Sequence, residues 1–392
     1  MSDFSKKEAI DALLRNRINL QQLVTLRNVI NEVDLSLIIR NIYDLGDEQI
    51  RKIAALAPAM AKVDALKNSR RNHLFYSRVK GEFRKKASNR VIVAEGDSWF
   101  NYPVLLSDVI DWITMEDNLA VYSVASGGDW LLNMLNAKKY IEQLSTLHPD
   151  VFLISGGGND LVGSNRLAAM VNPLGNSDEM DFNPWARQLI QDSQSRPEAP
   201  ALSLSRFNNG LKYISKDFFA LLMFFHLQYH FIFSGILEGG EKKTTPSKFP
   251  DIKIITQGYD YVLPSLNKAF GLKPWRWYKP FARLFLGHGG WLKRPLELRG
   301  ISDCRVQEDI VYAMIYLFNE MMIHTGAIFN TVEQDNIRVF HIDSRGAIGN
   351  EGWTDELHPL PENFKRVGQA YIDCINETNP SGAIYIVKKL YP

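Results

Sequence analysis

Residues 90–98 read RVIVAEGDS, a short apolar run that ends in a glycine, an aspartate and a serine. Unbroken apolar runs of this kind are typical of strands that are buried on both faces of a parallel sheet. The run therefore predicts a strand over 91–94, with Ser98 in the loop directly after it. Because ligands bind at the carboxyl ends of parallel strands, Ser98 is the first candidate for a site residue.

Four further apolar runs predict strands at 119–125, 150–155, 251–257 and 336–342. Helical stretches separate or follow these runs, at about 104–116, 130–146, 206–237, 304–329 and beyond His358. Strands that alternate with helices predict an α/β fold, with a parallel central sheet and helices on both of its faces. Polar segments at 126–129 and 157–160 also follow strands, and 355–358 follows the last strand by a short loop. One topology therefore brings them to the same edge as Ser98.

Two regions fall outside this alternation. Apolar residues recur at helical spacing in residues 1–88, so we predict an N-terminal helical region there and an α/β domain over 89–392. Residues 161–250 form a long insertion, predicted as a surface loop over 172–205 followed by an aromatic helix over 218–233. The aromatic run is too short and too polar to span a bilayer comfortably, so we predict a buried helix and no transmembrane segment; a lipid-facing lid is the alternative.

The charge of the chain is unevenly distributed, although the formal net charge is only +1. Residues 1–90 carry 18 basic and 10 acidic side chains, and the basic ones concentrate at 67–90. We interpret 67–90 as a solvated helix face and linker, with contact to an anionic surface as the alternative. Its few aromatic residues argue against a nucleic-acid-binding module. The N-terminus has no apolar signal sequence, so a cytoplasmic protein is expected.

A serine hydroxyl needs a base within hydrogen-bond reach before it can act as a nucleophile. Asp355 and His358 stand three residues apart, which brings both side chains to one side of a loop or helical turn. The carboxylate can then fix the tautomer of the imidazole and leave the other ring nitrogen for Ser98. The sequence thus predicts Ser98 as nucleophile, His358 as base and Asp355 as the residue that orients it.

The oxyanion that forms during acyl transfer needs hydrogen-bond donors. Gly128 can offer its backbone N–H because it has no side chain to obstruct a substrate; Gly127 is the competing choice. Asn159 can offer its side-chain amide, and Ser98 its own N–H. The glycines at 156–158 fit neither the dinucleotide-binding fingerprint nor a P-loop.

No cofactor and no metal site is predicted. His226 and His230 have the i,i+4 spacing of metal ligands, but their aromatic surroundings favour core packing. The segment 288–290 reads His-Gly-Gly, yet the Gly-x-Ser-x-Gly motif that accompanies such a loop in another hydrolase class is missing from this chain. Cys304 and Cys374 are the only cysteines and are expected to be reduced.

Together, the segment that ends in Ser98 and the three polar segments that follow later strands resemble the sequence blocks of the SGNH hydrolase (GDSL-type esterase/lipase) superfamily. The corresponding residues are 96–98, 126–129, 157–160 and 355–358. Trp99 stands where many members have leucine, and Ser123 where many have asparagine. The resemblance covers about 90–160 and 250–380 and implies a three-layer α/β/α sandwich. It also implies a catalytic set of Ser98, Gly128, Asn159, Asp355 and His358.

These residues predict a metal-independent serine hydrolase that cleaves a carboxylic ester through an acyl-enzyme. The family acts on lipids, acetylated sugars and small acyl esters, so the fold does not choose the substrate. The aromatic run and Trp275, Trp277 and Trp291 indicate an apolar or a sugar-stacking pocket, and of the two we favour lipid-like acyl esters as substrates. Deacetylation of a glycan and acyl transfer are alternatives on the same triad. A partner- or membrane-binding protein that uses its N-terminal region is the alternative from another class.

Overall fold

The computed structural model describes residues 6–15, 17–29, 34, 38, 58–102, 106–178, 182–196, 202–238, 249, 251–264, 290–330 and 337–389. They contain a six-stranded sheet of β1 Arg90–Gly96, β2 Leu119–Ser123, β3 Val151–Ser155, β4 Lys253–Gln257, β5 Val339–Asp343 and β6 Ile384–Ile386. All neighbouring strands are parallel, in the order β2-β1-β3-β4-β5-β6. The predicted α/β class is confirmed, and β1 to β5 coincide with the five apolar runs. The short strand β6 was not predicted.

Helices precede and connect the strands. In chain order they are α1 Lys6–Leu14, α2 Leu20–Val29, α3 Pro58–Arg78, α4 Val109–Ile113, α5 Leu131–Ala137, α6 Lys139–Leu147, α7 Gly158–Val162, α8 Pro184–Ser195, α9 Leu204–Leu211, α10 Lys216–Leu237, α11 Lys293–Leu298, α12 Cys304–Ala327 and α13 Pro361–Asn376. Short 3₁₀ helices cover Phe83–Lys85 and Gly163–Met170.

Both faces of the sheet are covered by helices. His341 of β5 faces α12, with its Nε2 3.1 Å from Oδ1 of Asn319. Because side chains alternate along a strand, the neighbouring Phe340 and Ile342 point to the opposite face, on which α13 packs. All five side chains of β5 are buried, as expected for a strand covered on both sides.

The predicted loop over 172–205 is wrong in part, because α8 lies within it. Asn183 caps this helix by accepting the N–H of Ala186 at 2.8 Å, and Pro184 occupies its first turn. Trp185 and Ile190 are buried on its inner side. The serine and proline content of the segment concealed this short amphipathic pattern.

Helix α10 contains the aromatic run 218–233. It is long and apolar enough to cross a membrane by length and composition alone, but 78% of its apolar window is buried inside the protein. A single such helix is weak evidence for a span, since core helices meet the same criterion. The buried helix expected at 218–233 agrees with this packing.

Helix α3 contacts the sheet at β2, the edge strand. Two basic side chains of the segment 67–90 are bound within the protein: Lys67 and Arg71 each form ion pairs with Asp108 and Asp111. Arg71 is 4% exposed, so this part of the segment is not a solvated face. The domain boundary near 88 and contact with an anionic surface stay predictions.

Candidate active site

The strand order reverses direction between β1 and β3, because β2 lies on one side of β1 and all later strands on the other. Such a switch point leaves a crevice at the carboxyl ends of the two strands. Ser98 follows β1 and Asn159 follows β3, so both residues lie at this crevice. The loop after β2 joins them there, since the N–H of Ser126 donates to the carbonyl of Gly96 at 2.8 Å.

Ser98, His358 and Asp355 form a continuous hydrogen-bonded chain. His358 Nε2 lies 2.7 Å from Ser98 Oγ, and His358 Nδ1 lies 2.9 Å from each carboxylate oxygen of Asp355. Ser98 and His358 are buried, with 9% and 4% of their surface exposed. The structure therefore brings together three residues that are separated by up to 260 positions, in the geometry of a serine nucleophile with its base.

The local sequence of 355–358 explains how the aspartate meets the histidine. Oδ1 of Asp355 accepts the backbone N–H of Leu357 at 2.8 Å and of His358 at 2.9 Å. This Asx-type turn folds the chain back, so the imidazole lies against the carboxylate. Thr354 closes the loop by donating its N–H to the carbonyl of His358 at 2.7 Å.

The surroundings of Asp355 favour its charged form. Burial opposes ionisation, but His358 and the two N–H donors outweigh burial and hold the pKa of Asp355 below its usual range. Tyr102 adds a further donor, with its hydroxyl 3.1 Å from Oδ2 of Asp355. The Tyr102 ring also packs 4.5 Å from the imidazole, centroid to centroid. Sequence reasoning missed Tyr102, since no motif links it to a residue 253 positions away.

The segment 126–129, which follows β2, and the segment 157–160, which follows β3, are hydrogen-bonded to each other. The Asn159 amide donates to the carbonyl of Asp129 at 2.9 Å and, at 3.4 Å, to that of Gly127. Asp160 accepts the N–H of Leu131 at 3.0 Å at the start of α5, and burial raises the pKa of Asp160 to about 6. The Asn159 side chain thus lies beside the loop that carries Gly128.

The N–H groups of this loop differ in their partners. The Gly127 N–H donates to Oδ2 of Asp64 at 3.1 Å and is therefore occupied. The Gly128 and Ser98 N–H groups have no acceptor in the part of the chain that the structure describes. Of the two glycines considered, Gly128 is the one with an N–H available to an oxyanion.

Asp97 is a buried structural anchor directly before Ser98. Its carboxylate accepts hydrogen bonds from the Tyr259 hydroxyl, from Ser155 Oγ at 3.2 Å and from the Trp99 N–H at 3.1 Å. The Tyr259 hydroxyl in turn accepts the N–H of Gly158 at 3.1 Å. Burial raises the pKa of Asp97 despite these donors. The network ties the loop after β1 to the loop after β3.

A small pocket of about 60 Å³ opens beside Ser98 and Asn159. Gly128 does not line it, whereas apolar side chains from four regions do: Leu161, Val162, Leu167, Val262, Leu292, Val311, Met314, Ile315 and Phe318. This apolar lining suits a small apolar group that a few polar atoms orient.

Glu356, which lies between Asp355 and His358 in the sequence, holds one wall of this pocket. Its carboxylate accepts the N–H of Leu292 at 3.0 Å and of Lys293 at 3.2 Å. Burial raises the pKa of Glu356 to about 7 in spite of these bonds. Trp291 lies next to this contact, 6.3 Å from the His358 ring. Trp275, Trp277 and the first two residues of the His-Gly-Gly segment lie outside the described residues.

Within the described ranges, no three His, Cys, Asp or Glu side chains group together in a way that could hold a metal ion. His226 packs 5.6 Å from the Trp185 ring, and its Nδ1 lies 2.8 Å from Thr325 Oγ1. This is the aromatic core packing that the sequence favoured.

No protein-family model and no curated protein matches this chain. Two solved structures are similar in part. One is a putative GDSL-like lipase from Parabacteroides merdae, with 10% identity and a TM-score of 0.35, covering 73% of this chain and 95% of that chain. The other is an extracellular lipase from Streptomyces rimosus, with 12% identity and a TM-score of 0.32, covering 73% of this chain and 98% of that one.

Proposed function

We propose that this protein is a serine esterase or lipase that hydrolyses a carboxylic ester through an acyl-enzyme intermediate. The observation that carries the proposal is the chain of hydrogen bonds from Ser98 Oγ through His358 to Asp355, with 2.7 and 2.9 Å contacts. Its location at the β1/β3 crevice, beside a pocket, gives a substrate access to the serine oxygen.

In the acylation step, His358 Nε2 takes the proton of Ser98 as its oxygen attacks the ester carbonyl carbon. The carbonyl π electrons move to oxygen, and the N–H groups of Ser98 and Gly128 stabilise that oxyanion. The Asn159 amide joins them by exchanging its long, 3.4 Å bond to the Gly127 carbonyl for one to the oxyanion. The bond to the alcohol oxygen then breaks, and His358 donates its proton to that oxygen. Asp355 stabilises the transient imidazolium without being protonated.

In the deacylation step, His358 takes a proton from water, which attacks the acyl carbon and forms a second oxyanion in the same hole. Collapse of this intermediate breaks the bond to Ser98 Oγ, and His358 returns the proton to that oxygen. The products are a carboxylic acid and free enzyme, and no cofactor enters either step.

The pocket favours an acyl group with an apolar chain. Side chains from the 161–170 region, the loop after β4 and helix α12 surround the space next to Ser98. Each buried methylene of a chain in this space contributes about 0.8 kcal/mol of transfer free energy. The lining is apolar and the space is small, so the pocket favours short acyl chains that are longer than acetyl over acetylated sugars.

The proposal is tested by hydrolysis of p-nitrophenyl esters from acetyl to palmitoyl, with the wild-type protein and Ser98→Ala. We expect turnover that depends on Ser98 and an optimum beyond acetyl. Labelling with a fluorophosphonate, followed by peptide mass analysis, should identify Ser98 in the wild type only. Absence of both turnover and labelling in the folded wild type would overturn the proposal. An optimum at acetyl would overturn the acyl preference alone.

A further inference from the structure

Helix α3 covers the open edge of the sheet with polar side chains instead of a neighbouring strand. Asn72 forms two bonds with the Ser123 backbone: Oδ1 accepts its N–H at 2.8 Å, and Nδ2 donates to its carbonyl at 3.0 Å. The Asn68 amide donates to the carbonyl of Ala125 at 2.7 Å. These bonds satisfy backbone groups that an edge strand otherwise leaves unpaired.

The series continues beyond β2 into the loop that carries Gly128. Oδ2 of Asp64 accepts the Gly127 N–H at 3.1 Å and the Ser126 hydroxyl at 2.8 Å. We call Asp64, Asn68 and Asn72 the edge ladder. Its members bind residues 123, 125 and 127, whereas the N–H groups of residues 124 and 126 donate to β1.

The four-residue spacing of the edge ladder on the helix matches the two-residue spacing of its backbone partners because of helix and strand geometry. Four residues of a helix advance about 6 Å along its axis, and two residues of a strand advance about 6.6 Å. Side chains at i, i+4 and i+8 on one helix face can therefore meet alternate residues of an antiparallel-running backbone edge. The ladder extends the regular hydrogen bonding of β2 to Gly127, although the strand itself ends at Ser123.

We propose that Asp64 is a positioning residue that holds the Gly128 N–H where the oxyanion develops. This inference rests on the proposed function and deepens it, since it assigns part of the oxyanion hole to a helix outside the four hydrolase-like segments. Asp64 acts through its neighbours: it fixes Ser126 and Gly127, and the next N–H along the chain is the free one of Gly128.

The environment of Asp64 agrees with such a role. Its side chain is only 6% exposed, so water does not readily replace it as the acceptor for these two donors. One oxygen, Oδ2, accepts both bonds, which fixes the Ser126 hydroxyl and the Gly127 amide relative to each other. On the other side of the loop, the Asn159 amide binds the carbonyls of Gly127 and Asp129. The loop is thus held from two sides.

The test compares Asp64→Ala, Asp64→Asn and Asn72→Ala with the wild type. Asp64→Ala removes both bonds to the loop, and we expect kcat for p-nitrophenyl esters to fall about 10- to 100-fold with KM within about twofold. This is less than the 10²–10³-fold typical of losing an oxyanion donor outright. Asp64→Asn keeps an acceptor oxygen and should restore kcat to within about threefold of wild type.

Asn72→Ala is the matched control, because it also removes two helix-to-backbone bonds but at β2 rather than at the loop. It should leave kcat within about threefold of wild type. Unchanged kcat in Asp64→Ala, or equal losses of kcat in Asp64→Ala and Asn72→Ala, would overturn the inference. Failure of Asp64→Asn to restore kcat would overturn it as well.

Hydrogen–deuterium exchange separates this inference from the proposed function. The Gly127 amide should exchange at least tenfold faster in Asp64→Ala than in the wild type, and Asn72→Ala should accelerate Ser123 instead. If the wild type hydrolyses no ester, the proposed function fails, while the exchange pattern still reports whether Asp64 holds the loop. Unchanged exchange at Gly127 in Asp64→Ala would overturn the positioning role even in an active enzyme.

Discussion

Replacing Asp355 with asparagine should separate the charge of the triad carboxylate from its geometry. Oδ1 of Asp355 accepts two backbone N–H groups, from Leu357 and His358. These donors require an oxygen at that position, so the new amide nitrogen must take the place of Oδ2, next to the Tyr102 hydroxyl. The remaining oxygen still lies 2.9 Å from His358 Nδ1 and can accept its proton. We therefore expect the imidazole orientation to survive in Asp355→Asn.

What the variant loses is the attraction between the carboxylate and the imidazolium of the transition state. For charges about 4 Å apart in an effective dielectric of about 20, this attraction is worth about 4 kcal/mol. At 1.36 kcal/mol for each factor of ten in rate, Asp355→Asn should lower kcat about 1000-fold. The new amide nitrogen takes the place of Oδ2, which also lies 2.9 Å from Nδ1. If this nitrogen donates to Nδ1, it inverts the tautomer and lowers kcat further, towards the roughly 10⁴-fold loss known for a triad aspartate.

The matched control is Tyr102→Phe, which removes one donor to the carboxylate but keeps its charge and the ring packing against His358. One hydrogen bond is worth about 0.5–1.5 kcal/mol net, so kcat should fall about 2- to 10-fold. Both variants would be assayed with one soluble p-nitrophenyl ester, with circular dichroism to confirm folding. A loss below tenfold in Asp355→Asn would refute the assigned role of the carboxylate.

Three further results follow from the site. Asn159→Ala should lower kcat about 100- to 1000-fold with little change in KM for the same ester, because it removes an oxyanion donor. Val262→Phe fills part of the apolar pocket, so the ratio of butyryl to acetyl hydrolysis should fall at least fivefold, because two methylenes lose a burial of about 0.8 kcal/mol each. Burial raises the pKa of Glu356 to about 7 in the folded protein, from about 4.5 in the unfolded chain. The folded protein therefore holds this proton more tightly, and the stability that results should be lost as the pH rises from about 4.5 to 7. Denaturant unfolding of the wild type relative to Glu356→Gln should show a loss of up to about 3 kcal/mol over that range, and a pH-independent difference would contradict it.

The sequence predicted the sheet well because its central strands are buried on both faces. Such strands must be apolar throughout, as in Val91 to Ala94, and runs of this kind are visible without any knowledge of tertiary contacts. Strand β6 was missed although residues 383–387 form an apolar run, because the run is short and the strand is only three residues long and partly exposed. Helix α8 escaped because turn-forming residues surround a single amphipathic stretch, and tertiary burial of Trp185 outweighs their preference for loops.

The candidate site likewise contains residues that could be predicted from the sequence and residues that could not. Ser98, Asn159 and His358 were predictable because the chemistry requires those side chains next to strand ends, and a parallel sheet brings the strand ends together. The residues that support them, such as Asp64 and Tyr102, were not predictable, because nothing in the sequence indicates which residue a given carboxylate or hydroxyl will bind. Only the packing of α3 on the sheet, or of the loop after β1 on 355–358, defines those contacts.

Helix α3 connects to both halves of the site by separate routes. Through Asp64 it holds the loop of Gly128. Through Lys67 and Arg71 it holds Asp108, whose carboxylate also accepts the Tyr102 N–H at 2.9 Å, and Tyr102 contacts Asp355. Arg71 and Asp108 are both almost fully buried, and their ion pair, together with the pairs to Lys67 and Asp111, fixes this route in one arrangement. The loop that carries Gly128 and the carboxylate of Asp355 therefore depend on the same helix, which explains why polar residues at 64, 67 and 71 face the sheet where a packing helix ordinarily presents apolar ones.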